Sequence, residues 1–272
     1  MGFLQIANLG KVHFHEYGPG KKPLLAFHGY GMTGKQFHVL EKSVLQDFHV
    51  YGFDHFFHGE SALDNWTEAQ ILAGMPKALV RDYVEEWFKV YGRQRFSVMA
   101  YSIGANLALI LVEEFADMID EIILMASDGI TTYQGFNFLT NKPVGRLFFR
   151  TFSKSKWLMP SLLKNLLRFG IIDEALYKIA HSETDTQKKR DDVYYTLNLI
   201  RRLKPNEKKV AALINEYQIK TRLIFGKFDN LFPKSGARYF IDLLDGADIH
   251  EVELGHWLVT PALDEYLINF YK

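Results

Sequence analysis

The chain has 272 residues, 48% of them apolar, with 32 basic and 32 acidic side chains and no cysteine. That length can bury one large core, or one core with an inserted subdomain. A formal charge of zero gives no overall reason to expect nucleic acid as a partner, and the lack of cysteine excludes disulfides, thiol catalysis and cysteine-bound zinc.

The first ten residues lack a basic start followed by a long apolar stretch, so no signal peptide is evident and a cytoplasmic location is expected. No apolar run is long enough to span a bilayer. Residues 12–17 alternate apolar and polar and predict an edge or hairpin strand. Residues 23–27 form a short apolar strand that ends in the glycine-rich turn His28-Gly29-Tyr30-Gly31. A helix is predicted over 37–45, a strand over 49–53, and one long helix over 68–91 with Leu72, Leu79, Val80, Val84 and Phe88 on one side. A strand over 96–100 runs into Ser102, a helix over 106–115 leaves it, and a strand follows over 121–126. Near the end come a strand over 222–225, a helix over 235–244, a strand over 248–253 and a last helix over 262–271. Short apolar strands alternating with helices give an α/β class with a mostly parallel sheet covered on both faces, whose strand tips share one crevice.

The alternation stops over residues 129–209, which read as helical throughout, with Leu158, Leu162, Leu163, Leu166 and Leu167 on one stripe. The segment reads as a helical cap inserted into a core made of 1–128 and 210–272. Between 130 and 210 there are 16 Lys and Arg against 7 Asp and Glu, an excess of nine. That excess suits a solvated face, or a docking surface for an anionic carrier or substrate tail.

The run Ala100-Tyr101-Ser102-Ile103-Gly104 carries the chemistry. Small residues two places either side of a serine suit a nucleophile elbow, in which a tight strand-to-helix turn lifts the hydroxyl above the sheet edge. Ala100 stands where glycine is commoner. A serine hydroxyl needs a base within hydrogen-bond reach and a carboxylate to orient that base. Asp229 follows the strand over 222–225 and His256 follows the last strand. The order Ser, Asp, His, with gaps of 127 and 27 residues, is the order this elbow chemistry uses. Asp128, in Ala126-Ser127-Asp128-Gly129, is a rival for the acid. His55 and His58 have spacing found in half of a metal ligand set, but no compact third and fourth ligand follows, so no metal is expected.

The segments HGYG at 28–31, FDHFFHGES at 53–61, AYSIG at 100–104, GKFDNLFP at 226–233 and GHW at 255–257 together resemble an α/β-hydrolase of the capped, single-domain kind. The resemblance covers nearly all of the chain outside the cap. It implies Ser102 as nucleophile, His256 as general base and then acid, and Asp229 as the orienting acid. The backbone N–H groups of Tyr30 and Ile103 would form the oxyanion hole. Gly29, Gly31, Tyr101 and Trp257 are expected beside the substrate. His28 is counted with them, although it also reads as a brace for the turn. Serine at the elbow argues against haloalkane dehalogenase and epoxide hydrolase chemistry, which use aspartate there.

The expected activity is hydrolysis of an ester, thioester or related acyl bond without a cofactor. The expected partner is a small-molecule acyl substrate, apolar or carrier-linked. Phe136, Phe138, Phe148, Phe149, Phe152 and Trp157 are candidates for an apolar pocket roof. A carbon–carbon bond hydrolase on the same residues and a non-catalytic ligand-binding protein are the alternatives.

Overall fold

The computed structural model describes residues 2–131 and 134–270. Nine strands form one sheet in the order β1-β2-β4-β3-β6-β7-β8-β9, with the short β5 paired to β2. They are β1 (Gly2–Ile6), β2 (Gly10–Tyr17), β3 (Lys22–Phe27), β4 (Phe48–Phe53), β5 (Ala62–Leu63), β6 (Phe96–Tyr101), β7 (Ile119–Met125), β8 (Lys220–Gly226) and β9 (Asp248–Val252). From β4 through β3 to β9 every pairing is parallel, and only the β1, β2 and β5 pairings are antiparallel.

The period of two in the strands sorts their side chains into two cores. Leu25, Phe27, Val98, Ala100, Leu124 and Phe225 join one face, which is covered by α3 (Ala78–Tyr91), α4 (Ala105–Phe115) and α10 (Glu207–Glu216). Leu24, Ala26, Met99, Tyr101, Ile123 and Ile224 join the other, beneath α1 (Val44–Asp47) and α12 (Pro261–Leu267). Between β7 and α10 the chain is helical: α5 (Gln134–Asn141), α6 (Pro143–Lys154), α7 (Leu158–Arg168), α8 (Glu174–Ser182) and α9 (Gln187–Ile200).

Several elements differ from expectation. The long helix over 68–91 is two, α2 (Glu68–Ala73) and α3, because Gly74 takes a left-handed φ of 86° as the C-cap and Pro76 cannot continue a helix. The helix over 37–45 divides into a 3₁₀ turn at Gln36–Leu40 and the single turn of α1. The helix over 235–244 becomes a 3₁₀ turn and the short α11 (Arg238–Ile241). The last helix ends at Leu267, and residue 271 lies outside the described residues. β1 was not anticipated; it pairs with β2 at the sheet edge.

Candidate active site

β6 ends at Tyr101, and the next residue, Ser102, has φ of 53° before the chain turns into α4. A left-handed conformation at a non-glycine residue is uncommon and strained, and here it marks the tight turn that the motif requires. The smallness of Gly104 is structural. A Cβ there would run into the carbonyl oxygen of Phe27, at the tip of the adjacent β3. A Cβ on Gly29 would run into the Tyr101 ring and lie 3.5 Å from Cβ of Ser102. The glycine turn after β3 is therefore pressed directly against the elbow.

Ser102 Oγ lies 3.2 Å from Nε2 of His256, and Nδ1 of His256 lies 2.8 Å from Oδ2 of Asp229. All three residues are buried. The second carboxylate oxygen of Asp229 accepts the backbone N–H groups of Leu231 (2.8 Å) and Phe232 (3.0 Å). Burial by itself would raise the Asp229 carboxyl. The hydrogen bond and charge of His256, with the two backbone donors, outweigh it and hold the carboxyl below its ordinary value. Asp128 is not part of this relay, because its carboxylate accepts Nδ2 of Asn106 (2.8 Å) and the N–H of Gly129 (3.0 Å).

An apolar cavity of about 210 Å³ adjoins the relay. Ser102, His256, Tyr30, Ile103, Tyr101 and Trp257 line it. Its remaining wall is almost wholly hydrocarbon, drawn mainly from α5 to α9 together with Leu231 and Phe232. Of the aromatics expected in the roof, Phe148, Phe149 and Phe152 line the cavity. Phe138 and Trp157 do not, and both face outward. The Phe136 side chain lies outside the described residues. Ile103 stands in the first turn at the start of the helix, where backbone N–H groups have no intrahelical acceptor.

His28, Gly29 and Gly31 do not line the cavity, contrary to the expectation that they would sit beside the substrate. His28 is fully buried; its Nδ1–H donates to Gly29 O (2.6 Å), and its Nε2 accepts the N–H of His55 (2.9 Å). His55 Nε2–H donates to His28 O (2.7 Å), and His58 Nε2 accepts the N–H of Gly31 (3.0 Å). Three imidazoles thus stitch the loop after β4 to the glycine turn. Burial lowers all three, with His55 brought down to about 4.

Behind them, His13 and His15 on β2 converge on Asp54, and their ligand atoms all lie within 4.8 Å of one another. That spacing is compact enough for a metal ion. The carboxylate is nevertheless engaged by protein donors, with Gly34 N at 2.7 Å on one oxygen and Glu60 N at 3.3 Å on the other.

Two contacts to the His256 loop had no signal in the sequence. The Tyr101 hydroxyl donates to His256 O (2.7 Å), and the ring packs on the imidazole. Asp173, the N-cap of α8, accepts Leu176 N through one oxygen (2.7 Å) and His256 N through the other (3.4 Å).

No curated protein sequence matches the chain. Solved structures do match in fold. A thermophilic esterase from Thermogutta terrifontis superposes with a TM-score of 0.69 at 13% identity, over 100% of this chain and 99% of that one. A meta-cleavage product hydrolase from Pseudomonas fluorescens IP01 gives 0.67 at 16%, over 100% and 97%. An esterase from Exiguobacterium antarcticum gives 0.67 at 17%, over 100% and 99%. The family model for the alpha/beta hydrolase fold matches residues 22–163, from β3 into α7. With more than half of its length matched by that model, the chain belongs to the α/β-hydrolase fold family.

Proposed function

We propose that the protein is a serine hydrolase that cleaves an acyl bond, with an ester of an apolar acyl group as its substrate class. The observation that carries this reading is the continuous chain Ser102 Oγ, His256, Asp229 opening onto a hydrocarbon-walled cavity. Ser102 Oγ attacks the carbonyl carbon while Nε2 of His256 takes its proton. The Asp229 carboxylate holds the proton on Nδ1 and stabilises the imidazolium. The N–H groups of Tyr30 and Ile103 receive the oxyanion. The imidazolium then returns its proton to the leaving alcohol, and water repeats the sequence on the acyl-enzyme. Residues 129–209 act as the cap, and its helices α5 to α9 supply most of the acyl wall.

Reaction with a fluorophosphonate probe tests the reading. One adduct on Ser102 is expected, absent in Ser102→Ala and strongly reduced in His256→Ala. A native protein that ignores the probe and hydrolyses no p-nitrophenyl ester, yet is thermally stabilised by fatty acids, would be a binding protein, and the proposal would fail.

A further inference from the structure

We propose that residues 142–168 form a docking surface for a bilayer that carries anionic lipid. This stretch contains seven Lys or Arg residues and no Asp or Glu. On α6, Val144, Leu147 and Phe148 share one face at helical spacing, and none is buried; Val144 is 71% and Leu147 68% exposed. The connection over 155–157 then presents Trp157, 75% exposed, with Lys156 Nζ 5.2 Å from its ring centre. One face of α7 continues from Trp157 through Ser161 and Lys164 to Arg168, all exposed.

The charges in this stretch are unevenly satisfied. Arg150 pairs with Glu68 and Lys154 with Asp191. Lys142, Lys156, Lys164 and Arg168 have no ion pair among the described residues. Large apolar side chains held out in water beside uncompensated cations are what an interfacial helix presents to headgroups and to the acyl layer beneath them. An acidic carrier protein would answer the cations. It would not offer a hydrocarbon layer to Val144, Leu147 and Trp157, which lie spread along a helix and the following connection. Phe148 ties this surface to the cavity: it is 42% exposed, packs tilted against Phe152 at 4.0 Å between ring centres, and lines the cavity that holds Ser102.

Docking can be read separately from hydrolysis by floating the Ser102→Ala protein with vesicles. Neutral phosphatidylcholine vesicles are compared with vesicles containing about 30% phosphatidylglycerol, a fraction that gives the surface a negative potential. Binding is expected only to the anionic vesicles, lost at high salt, with a blue shift in tryptophan emission that Trp157→Phe removes. Each surface cation contributes about fivefold in partitioning, so the triple change Lys156→Ala, Lys164→Ala, Arg168→Ala should weaken binding on the order of a hundredfold. Leu147→Asp should also release the protein. Absence of binding, equal binding to both vesicle types, or capture only by a soluble acidic carrier protein would overturn the proposal. The salt titration and the two-vesicle comparison use the cap surface unchanged, so they decide the matter even if a surface variant fails to fold.

Discussion

Replacing Asp229 by asparagine should reverse the protonation of the His256 ring while leaving its position intact. In the structure Oδ1 of Asp229 accepts two backbone N–H groups, from Leu231 at 2.8 Å and Phe232 at 3.0 Å. The asparagine oxygen must stay on that side, since an amide NH₂ there would face two donors. The NH₂ then takes the Oδ2 position, 2.8 Å from Nδ1 of His256, and donates to it. Nδ1 becomes an acceptor, the ring proton moves to Nε2, and the atom 3.2 Å from Ser102 Oγ can no longer receive the serine proton. Such a tautomer reversal lowers the chemical step about 10⁴-fold, or about 5 kcal/mol of barrier. The assay is the stopped-flow rate of acylation by a p-nitrophenyl ester, with circular dichroism to confirm the fold. Asp128→Asn is the control and should stay within a few-fold of wild type, because Asp128 is bonded to Asn106 and Gly129. A loss smaller than about tenfold for Asp229→Asn in a folded protein would refute the tautomer argument.

Two further outcomes follow from the histidines beneath the glycine turn and from the packing of the elbow. His28, His55 and His58 are held neutral in the folded protein, with values lowered by burial, whereas the unfolded chain binds protons at about 6.5. The unfolded state therefore gains protons first as pH falls, and stability drops below that point by about 1.4 kcal/mol per pH unit for each histidine until the folded values are reached. Urea midpoints measured between pH 7 and 5 should fall steadily, and a flat profile would contradict the burial of these rings. Separately, Gly104→Ala sets a methyl group against the carbonyl oxygen of Phe27, which is backbone and cannot rotate away. A loss of about 2 kcal/mol or more in denaturant unfolding is expected, and wild-type stability would mean that the elbow and β3 are less tightly packed than described.

Much of this architecture can be read along the chain because the relevant signals are local. Most of the parallel strands contain a continuous apolar run, and Ser102, Asp229 and His256 each come just after the end of a parallel strand, so the topology brings them to one crevice. The signals that failed are of two kinds. Gly74 and Pro76 interrupt a hydrophobic repeat that carries on in register, so periodicity alone joined α2 to α3. The histidines that Asp54, Tyr101 and Asp173 hold lie 39 to 155 positions away in sequence, and nothing about those three residues in isolation marks what they touch. His28 misled for a related reason. It opens the turn beside Ser102, yet its ring points into the stitch with His55, away from the cavity.

Asp173 ties the helices between β7 and α10 to the loop after β9. The side chain that starts α8 also holds the amide of His256, and a Cβ on Gly255 would run into that carboxylate and push it aside. Exchanging the helices between β7 and α10 for another sequence would change the pocket and unfasten the imidazole loop in the same operation. Chimeras that keep an aspartate at the head of this helix should retain turnover, whereas those that lose it should need a compensating substitution near Gly255. These helices and the sheet are bound to diversify as a matched pair.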